Sequence, residues 1–241
     1  MRDETEFKKI SDTVDEAFAM FAEALRRHSE DERREPRLSP EEEAKALFSR
    51  RGYDLDATRH RNLSRWPGIM AAMRTDALPD GMGWLLSGDT GTGKSVCARL
   101  AAEFAGVELV TAQSLMFQLR AAANSEVAWN NATRIGTITH KGRMRSCDLI
   151  IDDLGRENPN YSDYGVIRNL MGDMLEQRLD LWPGTRTYIV TNLTLAEIES
   201  TYGKRVSSRL ELATFPIVLD GPDRRLRRRD TIFQTAEKTA Q

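Results

Sequence analysis

A glycine-rich segment has the residue types and spacing of a phosphate-binding loop. It follows the apolar run Gly83–Ser87, and its residues 88–95, GDTGTGKS, match the pattern G-x-x-x-x-G-K-[ST] in full. The glycines let backbone N–H groups turn toward an anion, Lys94 reaches the β- and γ-phosphates, and the Ser95 hydroxyl binds Mg²⁺. The alternative is a glycine-rich turn that binds nothing, but the match favours a site for the phosphates of a nucleotide and for Mg²⁺. Its predicted residues are Gly88, Asp89, Thr90, Gly91, Thr92, Gly93, Lys94, Ser95 and Val96.

Two adjacent acids follow a second apolar run, Leu149–Ile151. A phosphate-binding loop needs an acid at the end of a neighbouring strand to complete the shell of Mg²⁺, and Asp152 has that place. Asp153 is one residue further on, where its carboxylate could activate an attacking water. Such a pair alone would more commonly cap the turn at Gly155. Because Lys94 is also present, we predict a metal-binding Asp152 and a general base at Asp153.

A third polar residue, Asn192, follows the apolar run Thr187–Thr191. In a parallel sheet the carboxyl ends of the strands meet at one edge, which would bring Asn192 close to the γ-phosphate. Its amide could then orient the attacking water. A Thr-Asn pair after a strand is usually only the start of a turn, so this prediction depends on the order of all three strands.

The elements that must position these residues alternate between apolar runs and helical patterns. The runs predict buried strands at Gly83–Ser87, Val107–Thr111, Leu149–Ile151, Thr187–Thr191 and Phe215–Leu219. The helical patterns are Val96–Ala105, Ser114–Ala123, Tyr164–Leu181 and Leu195–Tyr202. This alternation predicts an α/β fold of three layers with a mostly parallel five-stranded sheet.

The first part of the chain has a different pattern. Residues 13–27 place apolar side chains at steps of three and four and predict an amphipathic helix. Residues 28–38, HSEDERREPRL, have almost nothing to bury and indicate a charged linker. Ser39-Pro40-Glu41-Glu42 is typical of a capping box that opens a short helix. We predict a helical N-terminal extension at 1–58 and an ATP-binding domain at 59–241.

Composition excludes several classes of protein. The chain has 241 residues, 35 Lys+Arg against 37 Asp+Glu, and a formal net charge of −2. No apolar run approaches the roughly 18 residues that a membrane-spanning helix needs, and the polar N-terminus lacks the apolar stretch of a secretory signal. We expect a cytoplasmic protein. Its two cysteines and three histidines have no metal-ligand spacing, which argues against a disulfide framework and a zinc site.

Taken in order, five segments resemble the AAA+ ATPases of the DnaC/IstB group, which comprises replicative-helicase loaders and transposition helper ATPases. They are WLLSGDTGTGKS, DLIIDDLG, LEQRLDLWPGTRTYIVTNLT, YGKRVSSRL and GPDRR, and the resemblance covers roughly residues 63–229. It implies a P-loop NTPase fold of the AAA+ type, with Asp152 in the Walker B strand and Asn192 as the sensor-1 residue. Many AAA+ proteins have Glu after the Walker B Asp, so the shorter Asp153 implies slow hydrolysis.

The resemblance also implies assembly. RVSSRL resembles the segment that carries the arginine finger, a cation projected into the ATP site of a neighbouring subunit, with Arg209 as the better match and Arg205 as the second. The alternative is an ordinary solvated helix. A finger of this kind implies a homo-oligomer in the ATP-bound form. Arg225 of GPDRR matches a sensor-2 position, although the chain is too short here for a full C-terminal lid, and Arg225 fits a basic tail equally well.

In the loader and initiator branch of this superfamily, a helical insertion before the Walker B strand lines a pore for single-stranded DNA. The corresponding window here is basic, and Glu126 is the acid that opposes its cations, which favours phosphate contact. The cations are Arg120, Arg134, His140, Lys141, Arg143 and Arg145.

The resemblance therefore implies a loader that binds ATP and single-stranded DNA, docks on a replicative helicase through its N-terminal helices, and delivers that helicase when DNA replication begins. A transposition helper with a transposase partner is the close alternative. A P-loop kinase and a nucleotide-bound interaction module of low turnover are the other readings. The kinase would leave Asn192 and Arg209 unexplained, and the shortened Asp153 keeps the interaction module open.

Overall fold

A five-stranded sheet in which every neighbouring pair of strands is parallel forms the centre of the protein. The structure, a computed structural model, describes residues 38–53, 61–135, 137–138, 144–145, 147–163, 165–181 and 184–221. Its strands are β1 Gly83–Ser87, β2 Glu108–Thr111, β3 Thr137–Ile138, β4 Met144–Arg145, β5 Leu149–Leu154, β6 Asn160–Asp163, β7 Val166–Asn169, β8 Thr187–Thr191 and β9 Thr214–Val218. The order across the central sheet is β2-β5-β8-β1-β9.

The predicted α/β class and the five predicted strands are confirmed. The run Thr187–Thr191 is strand β8 without any change of bounds, and β1 is likewise as predicted. β2 begins one residue later than expected and β9 one residue earlier, while β5 continues through both aspartates to Leu154. The short pairs β3–β4 and β6–β7 form two separate antiparallel sheets of two strands each.

Helices cover both faces of the sheet. They are α1 Pro40–Arg50, α2 Arg61–Ser64, α3 Trp66–Arg74, α4 Lys94–Ala105, α5 Ala112–Ala122, α6 Glu126–Thr133, α7 Leu170–Leu179, α8 Leu195–Tyr202 and α9 Lys204–Ala213. Alternate residues of a strand point to opposite faces, and the two apolar clusters follow this rule. Trp84 and Leu86 of β1 pack with α1, α3 and α4, whereas Leu85 packs with α5, α7, α8 and α9. These are the three layers that the alternating pattern predicts.

Helix α1 has the predicted capping box. The backbone N–H of Glu42 donates to Ser39 Oγ at 3.3 Å, and the Glu42 carboxylate accepts from the Ser39 N–H at 2.7 Å. Its position differs from the predicted division at residue 58. Ala44, Leu47 and Phe48 are buried in the same cluster as α3 and α4, so α1 packs within the body that contains the central sheet. The predicted helix at 13–27 and all but the last residue of the linker lie outside the described residues.

The predicted helix at Tyr164–Leu181 is wrong in its first part. Residues 160–163 and 166–169 form the antiparallel strands β6 and β7, and α7 begins only at Leu170. Asn169 explains the boundary, because its side-chain oxygen accepts from the Gly172 N–H at 2.8 Å and caps the helix. The apolar residues Val166 and Ile167, which fall within the predicted helix, instead lie exposed on β7.

A fully buried arginine joins several elements at the amino edge of the sheet. Arg178 of α7 is 0% exposed and donates hydrogen bonds to the carbonyl oxygens of Thr133, Cys147 and Arg186 at 2.7–3.1 Å. Its Nε also donates to Thr187 Oγ1 at 3.2 Å. Burial lowers the pKa of Arg178 to about 10, so the guanidinium still carries its charge at neutral pH. The side chain ties the end of α6 to the starts of β5 and β8.

Among the described residues, every helix falls short of the length and apolar character that crossing a membrane requires.

Candidate nucleotide site

The predicted phosphate-binding loop connects β1 to α4, as its sequence pattern requires. Lys94, the first residue of α4, is only 5% exposed, and its Nζ donates to the carbonyl oxygens of Gly88 and Asp89, both at 2.7 Å. The lysine side chain therefore folds back over the loop. A buried ammonium on a helix N-terminus, beside backbone N–H groups, attracts an anion such as a phosphate.

Glycine is needed in this loop for two separate reasons. Gly88 has φ 135°, and a Cβ there would lie 2.0 Å from the carbonyl oxygen of Leu219, so no side chain fits. Gly93 has φ 103° and precedes α4 in a left-handed conformation that side chains rarely adopt. Thr92 closes the loop internally, because its Oγ1 donates to Asp89 O at 2.9 Å. Val96 lies one turn into α4, where its N–H donates to Gly93 O at 3.1 Å.

Ser95 and Asp152 meet at the carboxyl edge of the sheet. The Ser95 hydroxyl donates to Asp152 Oδ1 at 3.0 Å, although the two residues are 57 positions apart. Asp152 is 1% exposed, and burial raises the pKa of its carboxyl group, partly opposed by the Ser95 hydrogen bond. A hydroxyl and a carboxylate are the hard oxygen donors that Mg²⁺ prefers, and a cation would offset the cost of burying this carboxylate. The donor set fits Mg²⁺, with Ser95 and Asp152 as the residues that would hold it.

Asp153, the predicted general base, has an unusual backbone. Its φ is 61°, in the left-handed region, and the pairing of β5 with β8 shifts register between Ile151 and Leu154. A left-handed conformation is costly for a residue with a Cβ, although aspartate tolerates it better than most. The Asp153 side chain is partly exposed, and one oxygen lies 3.3 Å from Nη1 of Arg156. Asp152 and Asp153 thus differ sharply in burial although they are neighbours.

Beside Asn192 lies a polar residue that the sequence analysis missed. Asn192 follows β8 and is exposed, whereas Thr191 is fully buried. The Thr191 hydroxyl donates to the carbonyl oxygen of Leu154 at 2.8 Å and accepts from the N–H of Leu193 at 3.0 Å. Thr191 therefore fixes the end of β5 next to Asp153. The signal in the sequence was the Thr-Asn pair, of which only the second residue was expected to face the phosphate.

Next to the turn that follows Asp153 lies a pair of residues that the sequence analysis also missed, Glu157 and Tyr202. Glu157 is buried and accepts a hydrogen bond from the N–H of Gly155 at 3.0 Å and another from the hydroxyl of Tyr202. Burial, reinforced by the contact with Glu157, raises the pKa of Tyr202, so this hydroxyl keeps its proton and acts as a donor. In the sequence Glu157 looks like a solvated turn residue, and no local pattern points to a partner 45 positions away.

Arg209, the predicted arginine finger, lies on α9 in an ion-pair cluster with α7. Its guanidinium pairs with Asp180 and lies 3.6 Å from Glu176, while Arg205 pairs with the same glutamate at 3.2 Å. The hydrogen bond that Arg209 donates to the Asp180 carboxylate raises the pKa of Arg209. Within the described parts of the chain, the hydrogen bonds of this side chain go to Asp180 and to Arg205 O, not to the phosphate-binding loop. The fold therefore does not bring Arg209 together with Lys94 in one subunit.

The predicted DNA-contacting set needs one correction. Arg134 pairs with Glu108, its Nη1 donates to Gln118 at 2.8 Å, and its side chain is only 14% exposed. The sequence window held Glu126 as the opposing acid, but Glu108 from β2 supplies a closer one, so Arg134 has a structural role. Arg120 is exposed, and its guanidinium donates to the carbonyl oxygens of Asn158 and Asn160 at 3.2 and 3.4 Å.

The remaining predicted contacts cannot be placed. His140, Lys141 and Arg143 lie outside the described residues, as do the side chain of Arg145 and the predicted sensor-2 residue Arg225.

No protein-family model matches this sequence, and none of the curated proteins matches it. Similar solved structures include a proposed primosome component from Streptococcus pyogenes serotype M3, at 19% identity and a TM-score of 0.49, covering 71% of this chain and 86% of that one. Another is a DnaC helicase loader, at 20% identity and a TM-score of 0.46, covering 66% and 90%.

A third similar structure is AMPPCP-bound DnaA from Aquifex aeolicus, at 13% identity and a TM-score of 0.42, covering 64% of this chain and 45% of that one. DnaC gives its name to the group that the sequence motifs resemble. Since every TM-score is below 0.5, the residue roles in this chain rest on its own geometry.

Proposed function

We propose that this chain is a Mg²⁺-dependent ATPase of the AAA+ type with slow turnover. The observation that carries the proposal is the junction of three side chains from two strand ends. The Lys94 ammonium donates to two carbonyl oxygens of its own loop. The hydroxyl of Ser95, the next residue, donates to the buried Asp152 at 3.0 Å. A lysine for phosphate and a hydroxyl–carboxylate pair for Mg²⁺ are the two requirements of a P-loop ATPase.

In the proposed reaction Lys94 exchanges its loop carbonyls for the β- and γ-phosphates and balances part of their charge. Mg²⁺ held by Ser95 and Asp152 would neutralise further negative charge on those phosphates. A water oxygen bonds to the γ-phosphorus, the bond from that phosphorus to the bridging oxygen of ADP breaks, and the proton of the water passes to Asp153. Asn192 orients the water from the end of β8. The short side chain of Asp153 supports slow hydrolysis.

A second subunit completes the proposed site. Arg209 of α9 pairs with Asp180 and Glu176 at the end of α7. Its guanidinium therefore lies away from the phosphate loop of its own subunit. A finger acting in the ATP site of a neighbour needs such a position. We propose that the chain forms a homo-oligomer when ATP is bound, with Arg209 as the finger and Arg205 as the second candidate.

The proposed biological role is that of a cytoplasmic loader, which binds single-stranded DNA and delivers a replicative helicase. The exposed Arg120 supports a DNA contact, and Lys141, Arg143 and Arg145 belong to the same proposal. The packing of α1 in the ATP-binding body limits the partner-docking extension to residues before it. A transposition helper with the same chemistry and a transposase as its partner is the alternative outcome.

Two measurements test this role. We expect single-stranded DNA to increase ATP turnover by the full chain. DNA stimulates an ATPase whose activity is coupled to DNA binding, but it does not stimulate a kinase that acts on a small molecule. Capture of the purified replicative helicase by the full chain, and loss of that capture when residues 1–37 are deleted, is the expected partner result. Capture of a purified transposase instead would replace the loader with the transposition helper. Turnover that single-stranded DNA leaves unchanged would refute the DNA-coupled function.

The trans action of Arg209 is tested by mixing. Arg209→Ala alone should bind ATP normally, because its own pocket keeps Lys94 and Ser95, and should lose turnover by a factor on the order of 10³. Adding an inactive Lys94→Ala chain should restore part of the activity, since a mixed junction pairs an intact pocket with an intact finger. No recovery in a preparation shown to co-assemble would refute the assignment and direct the test to Arg205.

A further inference from the structure

The turn from Asp153 to Glu157 is held both by hydrogen bonds within it and by hydrogen bonds from Thr191 and Tyr202 outside it. Asp153 is left-handed at φ 61° and Gly155 follows at φ 99°. Within the turn, the Arg156 N–H donates to Asp153 O at 3.2 Å. A non-glycine residue in this region persists only where the surrounding structure enforces it, and such residues cluster at functional sites. The contacts that enforce this one are therefore informative.

Glu157 is the main contact on one side of the turn. Its Oε2 accepts from the N–H of Gly155 at 3.0 Å, and its Oε1 accepts from the hydroxyl of Tyr202. One carboxylate oxygen thus accepts from the turn and the other accepts from α8, so both oxygens of this buried group are engaged by the protein. The geometry therefore gives Glu157 no part in proton transfer from a water at the phosphate site.

Tyr202 is itself fixed by the start of α7. It is the last residue of α8, and the carbonyl oxygen of the preceding Thr201 accepts from the Asn169 side chain at 2.7 Å. The same Asn169 caps α7 at Gly172, where a Cβ would lie 3.0 Å from Tyr202 O. The small residue lets α7 approach the end of α8 closely. The phenol therefore reaches Glu157 from a rigid support made of two helix ends.

On this basis we propose that Glu157 and Tyr202 are positioning residues for ATP hydrolysis, which hold the turn that begins at the left-handed Asp153. Glu157 holds the Gly155 amide, two residues after Asp153, and Tyr202 orients Glu157. The inference rests on the proposed ATPase function. It connects α8, the helix that follows Asn192, to Asp153, the proposed general base.

Substitutions at Glu157 separate positioning from acid–base chemistry. In Glu157→Gln, the amide oxygen still accepts from Gly155 N–H, and the amide nitrogen donates to the Tyr202 oxygen, so the geometry is kept while the charge is lost. We expect turnover within about threefold of wild type, as a positioning role predicts. In Glu157→Ala both hydrogen bonds disappear, and we expect kcat to fall about 10-fold to 100-fold with the Kd for Mg²⁺-ATP unchanged.

Tyr202→Phe removes a single hydroxyl and tests the pair with the least disturbance of packing. We expect a fall in kcat of about tenfold, with unchanged ATP affinity and faster hydrogen exchange of the Gly155 amide. Tyr188→Phe is the matched control, because Tyr188 is a buried tyrosine of β8 that packs against Trp84, on the face of the sheet away from α7, α8 and α9. It should leave turnover and Gly155 exchange at the wild-type level.

The outcomes distinguish this inference from the proposed function. A wild-type chain that binds but does not hydrolyse ATP would refute the ATPase proposal, while Gly155 exchange would still report on the turn. If wild type hydrolyses ATP and Tyr202→Phe matches it in both kcat and Gly155 exchange, the positioning role is overturned. Inactivity of Glu157→Gln equal to that of Glu157→Ala would also overturn it, since the charge and not the geometry would then be needed.

Discussion

Two buried cations lie at opposite edges of the same sheet, and both donate to backbone carbonyl oxygens. Lys94 at the carboxyl edge binds Gly88 O and Asp89 O, two acceptors from its own loop. Arg178 at the amino edge binds acceptors at the end of α6, just before β5, and at the start of β8. Burial of a positive charge is common to both, so burial alone does not identify a functional site.

The surroundings of the two cations differ in a way that separates function from structure. Lys94 begins a helix, beside glycines in left-handed conformations and a hydroxyl–carboxylate pair, where a phosphate can replace its loop carbonyls. Arg178 lies within α7, and its guanidinium is enclosed by the end of α6 and the starts of β5 and β8, which it joins. The first cation can exchange its partners without disturbing the core, and the second cannot.

The largest effect is expected from removing the structural cation. Arg178→Met should lower the free energy of unfolding by about 3 kcal/mol or more, because each buried carbonyl left without a donor costs about 1–3 kcal/mol. An apolar side chain relieves the desolvated charge but cannot satisfy those carbonyls. Urea denaturation would measure the change. Arg168→Met on β7, which removes an exposed arginine, is the control and should change stability by about 1 kcal/mol at most. Equal effects of both variants would show that Arg178 does not stabilise the fold by joining α6, β5 and β8.

Lys94→Ala should give the opposite result. We expect the affinity for Mg²⁺-ATP to fall about 100-fold or more, since charge-assisted hydrogen bonds to two phosphates are lost. Unfolding by urea should remain close to wild type, because the loop can satisfy its carbonyls with water. Isothermal titration with a non-hydrolysable ATP analogue measures the affinity, with the exposed Lys45→Ala on α1 as the control. Unchanged affinity would remove the phosphate role from this loop.

Thr191→Val lies between these two extremes, at the carboxyl edge but in the core. It replaces a hydroxyl that makes hydrogen bonds to Leu154 and Leu193 with a methyl group of similar shape. We expect a loss of about 2 kcal/mol in unfolding free energy, with turnover reduced because Leu154 adjoins Asp153. Thr191→Ser keeps the hydroxyl and should recover most of both. A serine variant as impaired as the valine variant would show that the methyl group, not the hydroxyl, is required.

The smallest effect is expected at the outer rim of the amino edge. Arg186 pairs with Asp76, which is exposed and left-handed at φ 59°. Asp76→Asn removes the ion pair but keeps a residue that tolerates this conformation, so stability should change by about 0–1 kcal/mol. Thermal unfolding at low and high salt is the measurement. A loss as large as that of Arg178→Met would show that the amino edge is held by its surface charges rather than by the buried guanidinium.

Local pattern was sufficient for the elements and for the core of the site. The five strands, the capping box at Ser39 and the phosphate loop each follow from residues close together in sequence, since apolar runs and glycine positions act locally. The pairing of Ser95 with Asp152 also followed, because parallel strands bring their carboxyl ends to one edge. The error at residues 164–169 arose because short apolar runs fit a helix or a strand equally well, and the cap at Asn169 decides between them.

The sequence by itself determined that a phosphate loop, a pair of acids and a polar residue would end three neighbouring strands. Only the tertiary structure decided which other polar groups support them. Arg178 with the Thr133 carbonyl, Glu157 with Tyr202, and Arg134 with Glu108 join residues 26 to 45 positions apart. Such pairs leave no periodic signal, because they depend on which sides of two helices or turns face each other once the sheet has formed. Burial then makes each pair obligatory, since a polar group removed from water must find a partner in the folded chain.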